Sequence, residues 1–243
     1  MKVKLIYSTL LAAIVFSTSI QAQDGPNVVR SRLCNVNTGY SMSEVVEFAR
    51  NIDWQEEYAP SAIFFREARA VPGDFQRDWD FVWSSFYQDW DDQYQTISAQ
   101  NSRAGGRTGN PRLRDMISCD ARVSIANVNQ ANQGEIFSDT DSTPMGSQFC
   151  DLNGATVQDA ITMATSVGQM LGAYSAVDVQ AFGGQGGYEA FSRVYVRYVF
   201  ANGQTFADSL DALRESSPPA GAPNGMMCSS GALWLSHRIY QEN

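Results

Sequence analysis

The sequence predicts an α+β fold in which two β-α-β-β-α-β units lie in tandem and pack sheet to sheet within one chain. Three observations predict it. A short stretch of sequence occurs twice, each occurrence opens an amphipathic helical stripe, and the four cysteines are spaced alike in the two copies. The 243 residues carry 17 basic and 26 acidic side chains, and 44% are hydrophobic against 18% charged. Such a balance fits a folded globular chain and excludes collagen-like, disordered and multi-span membrane classes.

The inventory for catalysis is thin. Lys2 and Lys4 are the only lysines, and His237 is the only histidine. Schiff-base and Walker-type lysine chemistry are therefore absent from the body of the chain, and one histidine cannot build a multi-histidine zinc or iron site. Neither a metal nor a cofactor is expected.

Met1 to Ala22 reads as a cleavable secretory leader. Lys2 and Lys4 precede a mostly apolar run from Leu5 to Ile20, which is short for a membrane span and ends at the small Ala22. Cleavage there removes both lysines from the 17 basic residues and leaves 15 arginines against 26 acids, or −11. That excess of acid disfavours a nucleic-acid partner, because phosphate binding needs basic surface. The expected location is periplasmic or secreted, with no membrane attachment once the leader is gone.

The repeat aligns Cys34-Asn35-Val36-Asn37 with Cys150-Asp151-Leu152-Asn153, with one gap at Thr38. The match continues into an i, i+3, i+4, i+7 stripe, where Val45, Phe48, Ala49 and Ile52 fall on the columns of Ala160, Met163, Ala164 and Val167. Ser41 with Glu44, and Thr156 with Asp159, have the spacing of a capping box at the start of each stripe.

Strand-like segments follow at Ser61 to Arg69 and Ala176 to Phe182, and again at Trp79 to Phe86 and Arg193 to Phe200. Second helices fit Asp91 to Ala99 and Thr205 to Arg214. Final strands begin at Cys119 and Cys228. The units span 28–130 and 146–243, with a linker over 131–145.

This element order is that of the ferredoxin-like unit. A four-stranded sheet of this kind has helices on one face only, so its bare apolar face needs a cover, and the second copy supplies one. At this point the chain resembles the dimeric α/β-barrel superfamily, whose members pair two ferredoxin-like units face to face, some with both units in tandem. The resemblance covers roughly 28–243 and rests on element order and the repeated Cys-x-x-Asn beginnings. It implies a monomer that is an intramolecular pseudo-dimer.

In the ferredoxin-like unit the first and last strands are antiparallel neighbours, which brings a cysteine on each within bridging reach. The expected disulfides are Cys34 with Cys119 and Cys150 with Cys228, separated by 85 and 78 residues. In the chain-entropy model each would contribute about 3–5 kcal/mol. Metal ligation is the weaker alternative, since no C-x-x-C occurs.

The repeat also proposes a pocket. It matches Trp79, Phe81 and Trp83 to Arg193, Tyr195 and Arg197, and Phe65 to a position two beyond Asp178. Val177, Val179, Val194 and Val196 are assigned beneath the helices, so the first set should face the other copy. An aromatic wall would then meet an arginine, tyrosine and carboxylate wall able to hold an amphipathic or anionic organic ligand. The alternative is an internally paired seam between halves.

His237 alternates with Leu233, Leu235 and Ile239, as a buried structural histidine would. Haem-degrading and chlorite-processing relatives within the resembled superfamily take a histidine from a helix as iron ligand, and no predicted helix here holds one. Gly183 to Gly187 lacks phosphate-loop spacing and reads as a turn. Ser138 to Pro144 reads as a solvated linker, and Asn101 to Arg114, with four arginines, as a surface loop. Two functions remain open: a binding module for a small organic ligand, or a cofactor-independent, monooxygenase-like enzyme acting on an aromatic substrate, the second by fold analogy.

Overall fold

The computed structural model describes residues 26–54, 59–72, 78–102, 111–138, 140–183, 192–215 and 225–242. The leader, Gly184 to Gly187 of the glycine-rich turn, and Arg103 and Arg107 of the arginine-rich loop lie outside the described residues.

In the first half, β1 (Val28–Val36) leads to helix α1 (Met42–Arg50), then β2 (Ala62–Ala70), β3 (Phe81–Tyr87), α2 (Trp90–Ser102), α3 (Pro111–Met116), β4 (Ile117–Cys119) and β5 (Ser124–Asn132). The second half runs β6 (Ser142–Asp151), α4 (Val157–Leu171), β7 (Tyr174–Phe182), β8 (Arg193–Val199), α5 (Gly203–Glu215), β9 (Met227–Cys228) and β10 (Ala232–Gln241). Both expected capping boxes form: Ser41 and Thr156 accept from the backbone of Glu44 and Asp159, whose carboxylates reach back to the cap N–H.

Eight long strands close into one antiparallel barrel in the ring order β10-β2-β3-β1-β5-β7-β8-β6, with β6 pairing back to β10. The expected sheet-to-sheet packing takes the form of one closed barrel, in which the strands of the two halves hydrogen-bond edge to edge. One seam joins β2 to β10 from Ala62–Gln241 to Ala70–Leu233, and the other joins β5 to β7. Closure leaves no open edge on the ring, which is why two short curved sheets settle into a barrel.

The first helix of each half sits over a seam. Val45, Val46 and Ala49 of α1 pack on Ile63, Phe65 and Phe81 of their own half and on Ile239 of β10. Ala160, Ala164 and Leu171 of α4 pack on Val177, Val179, Val194 and Val196, with Ala131 of β5 beside them. Polar bonds follow the same route. Arg50 of α1 donates to the carbonyls of Arg238 (2.9 Å) and Asp141 (2.6 Å), and Thr165 of α4 donates to that of Ala131 (2.8 Å).

Both expected disulfides are present, Cys34–Cys119 and Cys150–Cys228, with Cα–Cα distances of 4.0 and 3.9 Å. The cysteines do not begin the final strands, however. Cys119 and Cys228 sit on the short β4 and β9, opposite Cys34 and Cys150, and the chain leaves the ladder before β5 and β10 rejoin the same neighbours. Two further segments depart from expectation. The end of the arginine-rich loop folds as α3, because Leu113 and Met116, three residues apart, are buried against the α1 core. The stretch read as a solvated linker contributes Ser142, Thr143 and Pro144 to β6, where Thr143 is fully buried and its hydroxyl donates to the Phe200 carbonyl at 2.6 Å. Among the described residues, no helix is long and apolar enough to cross a membrane.

Gly168 marks how closely α4 approaches the second seam: a Cβ there would lie 2.6 Å from the Ser175 hydroxyl and 3.0 Å from the Asn132 Cβ. Gly168→Ala raises intrinsic helix propensity by about 1 kcal/mol yet overpacks the contact. The expected net outcome is a loss of roughly 1–2 kcal/mol in a urea titration; a gain would show that the helix stands off the strands.

Candidate functional site

Pairing register decides which side chains share a face, because a slip of one residue turns a strand over. Cys34 stands opposite Phe81, and Cys150 opposite Val194. Phe81 is thus the counterpart of Val194, and Trp83 of Val196, one residue away from the match read in the sequence. Phe65, opposite Trp83, corresponds to Val177, opposite Val196.

The consequence is a correction for the first half. Phe65 and Phe81 are fully buried, and with Trp83 they pack against α1, outside the barrel. Their rings lie 5.0 to 5.1 Å apart, so they are helix-side core and do not face the other half. Trp79 departs from this group. It lies just before β3, packs with Met145, Val199 and Trp234, and stacks on the Trp234 indole at 5.6 Å.

In the second half, parity is as expected. Val177, Val179, Val194 and Val196 lie beneath α4, so Asp178, Tyr195 and Arg197 point into the barrel. Arg197 and Asp178 are 4% and 6% exposed and form a forked pair of three hydrogen bonds at 3.0 to 3.2 Å. Burial opposes the Arg197 charge, but Asp178 and Tyr174 outweigh it, and its pKa lies above the ordinary value. Tyr195 packs on Phe149 at 5.0 Å, and burial raises its hydroxyl pKa. Arg193 is half-exposed and forks to Asp151 at 2.6 and 3.1 Å. The arginines expected to greet a ligand are thus engaged with carboxylates of their own half.

One interior residue escaped the sequence reading. Arg66 stands opposite Val82 as Asp178 stands opposite Tyr195, so the two hold equivalent places in the halves. It lies only 5.4 Å above the Phe86 ring, is 5% exposed, and burial followed by the nearby Arg197 pushes its pKa down to about 10. The alternation Phe64–Arg66 against Ile63–Phe65 contains the signal, but only a correct register gives it a direction.

Two grooves lie at the ends of the strands. The repeated Cys-x-x-Asn stretch walls a groove in each half, of about 750 Å³ beside β1 and about 380 Å³ beside β6. The larger is lined by Asn37, Tyr40, Glu67, Asp78, Trp79 and Asp80 among others. Asp80 accepts from the Val36 N–H at 2.9 Å, and Glu67 pairs with Arg69 at 3.0 Å. Glu67 also lies 3.3 Å from His237 Nε2, while Nδ1 lies 2.8 Å from the Ser142 hydroxyl. His237 is buried, as its alternation suggested. Among the described residues, no group of three or more His, Cys, Asp or Glu is placed to hold a metal ion.

The fold and interior define an α+β protein built on a closed eight-stranded antiparallel barrel, with helices outside and charged groups within. No family model and no curated protein matches the sequence. The fold is similar to those of an anthrone oxidase-like protein (10% identity, TM-score 0.42, covering 91% of this chain and 97% of that one) and of a double mutant of the chlorite dismutase from Candidatus Nitrospira defluvii (9%, 0.44, 89% and 93%). A candidate monooxygenase from Fusobacterium nucleatum shows 9% identity and a TM-score of 0.46 over 90% of this chain and 95% of that one. At this level of likeness no residue role passes from them to this chain.

Two outcomes follow from the buried groups. Asp178→Asn leaves Arg197 without its anion, and should cost about 3–5 kcal/mol in a denaturant titration, whereas Asp178→Leu with Arg197→Leu together should cost less. His237 has its pKa lowered from 6.5, by burial first and against the pull of Glu67, with Arg50 and Arg69 also lowering it. The neutral form is therefore the folded form. Its stabilising contribution is full above the unfolded value and shrinks as pH falls, because the unfolded chain takes up the proton first. The stability difference between wild type and His237→Gln should narrow from about pH 7.5 to about pH 5; a constant difference would mean that His237 titrates alike in both states.

Proposed function

We propose that the protein binds a small organic ligand, and that the ligand sits in the groove beside β1. The observation that carries this reading is the groove itself, about 750 Å³ and open, at a strand-to-helix turn where carboxylates and aromatic side chains meet. Its chemistry is opposite in sign to the arginine-lined pocket expected between the halves. Asp78, Asp80 and Glu67 supply acceptors, while the partly exposed Tyr40 supplies a π face and the buried Trp79 an apolar edge. Such a lining suits an amphipathic organic cation, whose charge meets carboxylates and whose body lies on the Tyr40 ring.

Several features support the setting. An exported protein with the leader Met1 to Ala22 would meet an oxidising compartment, and two disulfides are the form its cysteines take. The strand orders β5-β1-β3-β2 and β10-β6-β8-β7 support reading the barrel as two ferredoxin-like units in tandem, over 28–130 and 146–243. Such a chain would act as a monomer.

A second reading, a cofactor-independent monooxygenase-like enzyme, is favoured by one contact. Glu67 lines the groove and touches His237, so a substrate there would lie one residue from a neutral imidazole. Native mass spectrometry of the protein recovered from host extract separates the two, because a binding module releases its ligand unchanged. Tyr40→Ala with Asp78→Asn should lower ligand occupancy at least tenfold with thermal stability unchanged; full occupancy in that variant would exclude the groove.

A further inference from the structure

Among the described residues, the barrel interior buries two guanidinium groups, Arg66 and Arg197, and one carboxylate, Asp178. Asp178 is engaged by Arg197 through both of its oxygens. Arg66, across from that pair, has its Nε buried with no hydrogen-bond partner. Both guanidiniums lie over the Phe86 ring, at 5.4 Å for Arg66 and 5.1 Å for Arg197. A ring face offers a cation partial relief but accepts no in-plane N–H hydrogen bond. Net charge in this buried cluster is therefore +1, and isolated buried charge is costly enough that proteins either neutralise it or supply a counter-ion.

Arg66 keeps its charge even so, since its pKa of about 10 lies well above neutral pH. Something other than deprotonation must balance it. The strands around it carry small side chains: Ala62, Ser84, Ala126 and Ala176 are all buried, beside the larger Phe64 and Phe86. We propose that the barrel interior binds a small carboxylate, held by the Nε edge of Arg66 between the two halves. A guanidinium presents Nε–H and one Nη–H in parallel, and a carboxylate's two oxygens match that fork where a spherical halide cannot. The occupant would bring the cluster to zero charge and would bind only the closed barrel, because Arg66 comes from the first half and Arg197 and Asp178 from the second. This site is separate from the groove beside β1, which takes charge of the opposite sign.

The test uses the disulfide-bonded chain, dialysed into a buffer whose only anions are bulky sulfonates, and then titrated with sodium formate, sodium acetate or sodium chloride at matched ionic strength. Formate and acetate should raise the melting temperature in proportion to the logarithm of their concentration above half-saturation, by roughly 5 °C at a hundredfold excess, and chloride should not. Arg66→Gln should abolish this rise. Should that variant fail to fold, carbon-13 formate observed by NMR with wild type gives an independent reading: its line should broaden and sharpen again on adding excess acetate. Equal stabilisation by chloride and formate, an undiminished formate response in Arg66→Gln, or a formate line that wild type leaves unbroadened would each overturn the proposal.

Discussion

Backbone pairing at the two seams is the constraint on which the rest of this structure depends. A four-stranded sheet ends in two rows of unsatisfied N–H and C=O groups, and each half of this chain has two such rows. β2 meets β10 and β5 meets β7, so every long strand has a neighbour on both sides. Helices α1 and α4 then lie across these seams and pack apolar side chains on strands from both halves. Neither half has a complete core without the last strand of the other.

Closure also explains the interior. A barrel of this size leaves room for side chains and at most one small ligand, and here the filling is mixed. Phe64 stacks on Phe137 at 5.3 Å, Trp79 stacks on Trp234, and the buried Arg197–Asp178 pair lies against the Phe86 and Tyr174 rings. Polar groups that deep find partners on neighbouring strands of their own half. Trp234 donates to the Ser147 hydroxyl at 2.7 Å, and Ser31 and Ser84 lie 3.3 Å apart. Two grooves lie at the strand ends, walled by the repeated stretches that follow Cys34 and Cys150.

Much of this was legible in the sequence, and what was lost traces to one cause. Helical periodicity and the two capping boxes fixed α1 and α4, since Ser41–Glu44 and Thr156–Asp159 act within a single turn. The cysteine spacing led to the right bridges because it repeats a local geometry. Which face of a strand looks inward is a different kind of information. The offset between copies is 116 at Cys34 and Cys150, but 113 between Phe81 and Val194 and 112 between Phe65 and Val177. Loops of unequal length absorb the difference and carry no alignable signal, so an odd error turned Phe81 and Trp83 inward on paper and hid Arg66. The second half was read correctly because its run of valines marks the helix side without any alignment.

Hydrogen exchange under native conditions tests the closed barrel most directly. Amides of Ala126 to Gln130 and of Phe64 to Glu67, which lie along the two seams, should exchange only through global opening, as slowly as those of β1 and β3. Exchange at either seam that is faster by orders of magnitude, or separate opening of the two halves, would contradict a structure that depends on closing both.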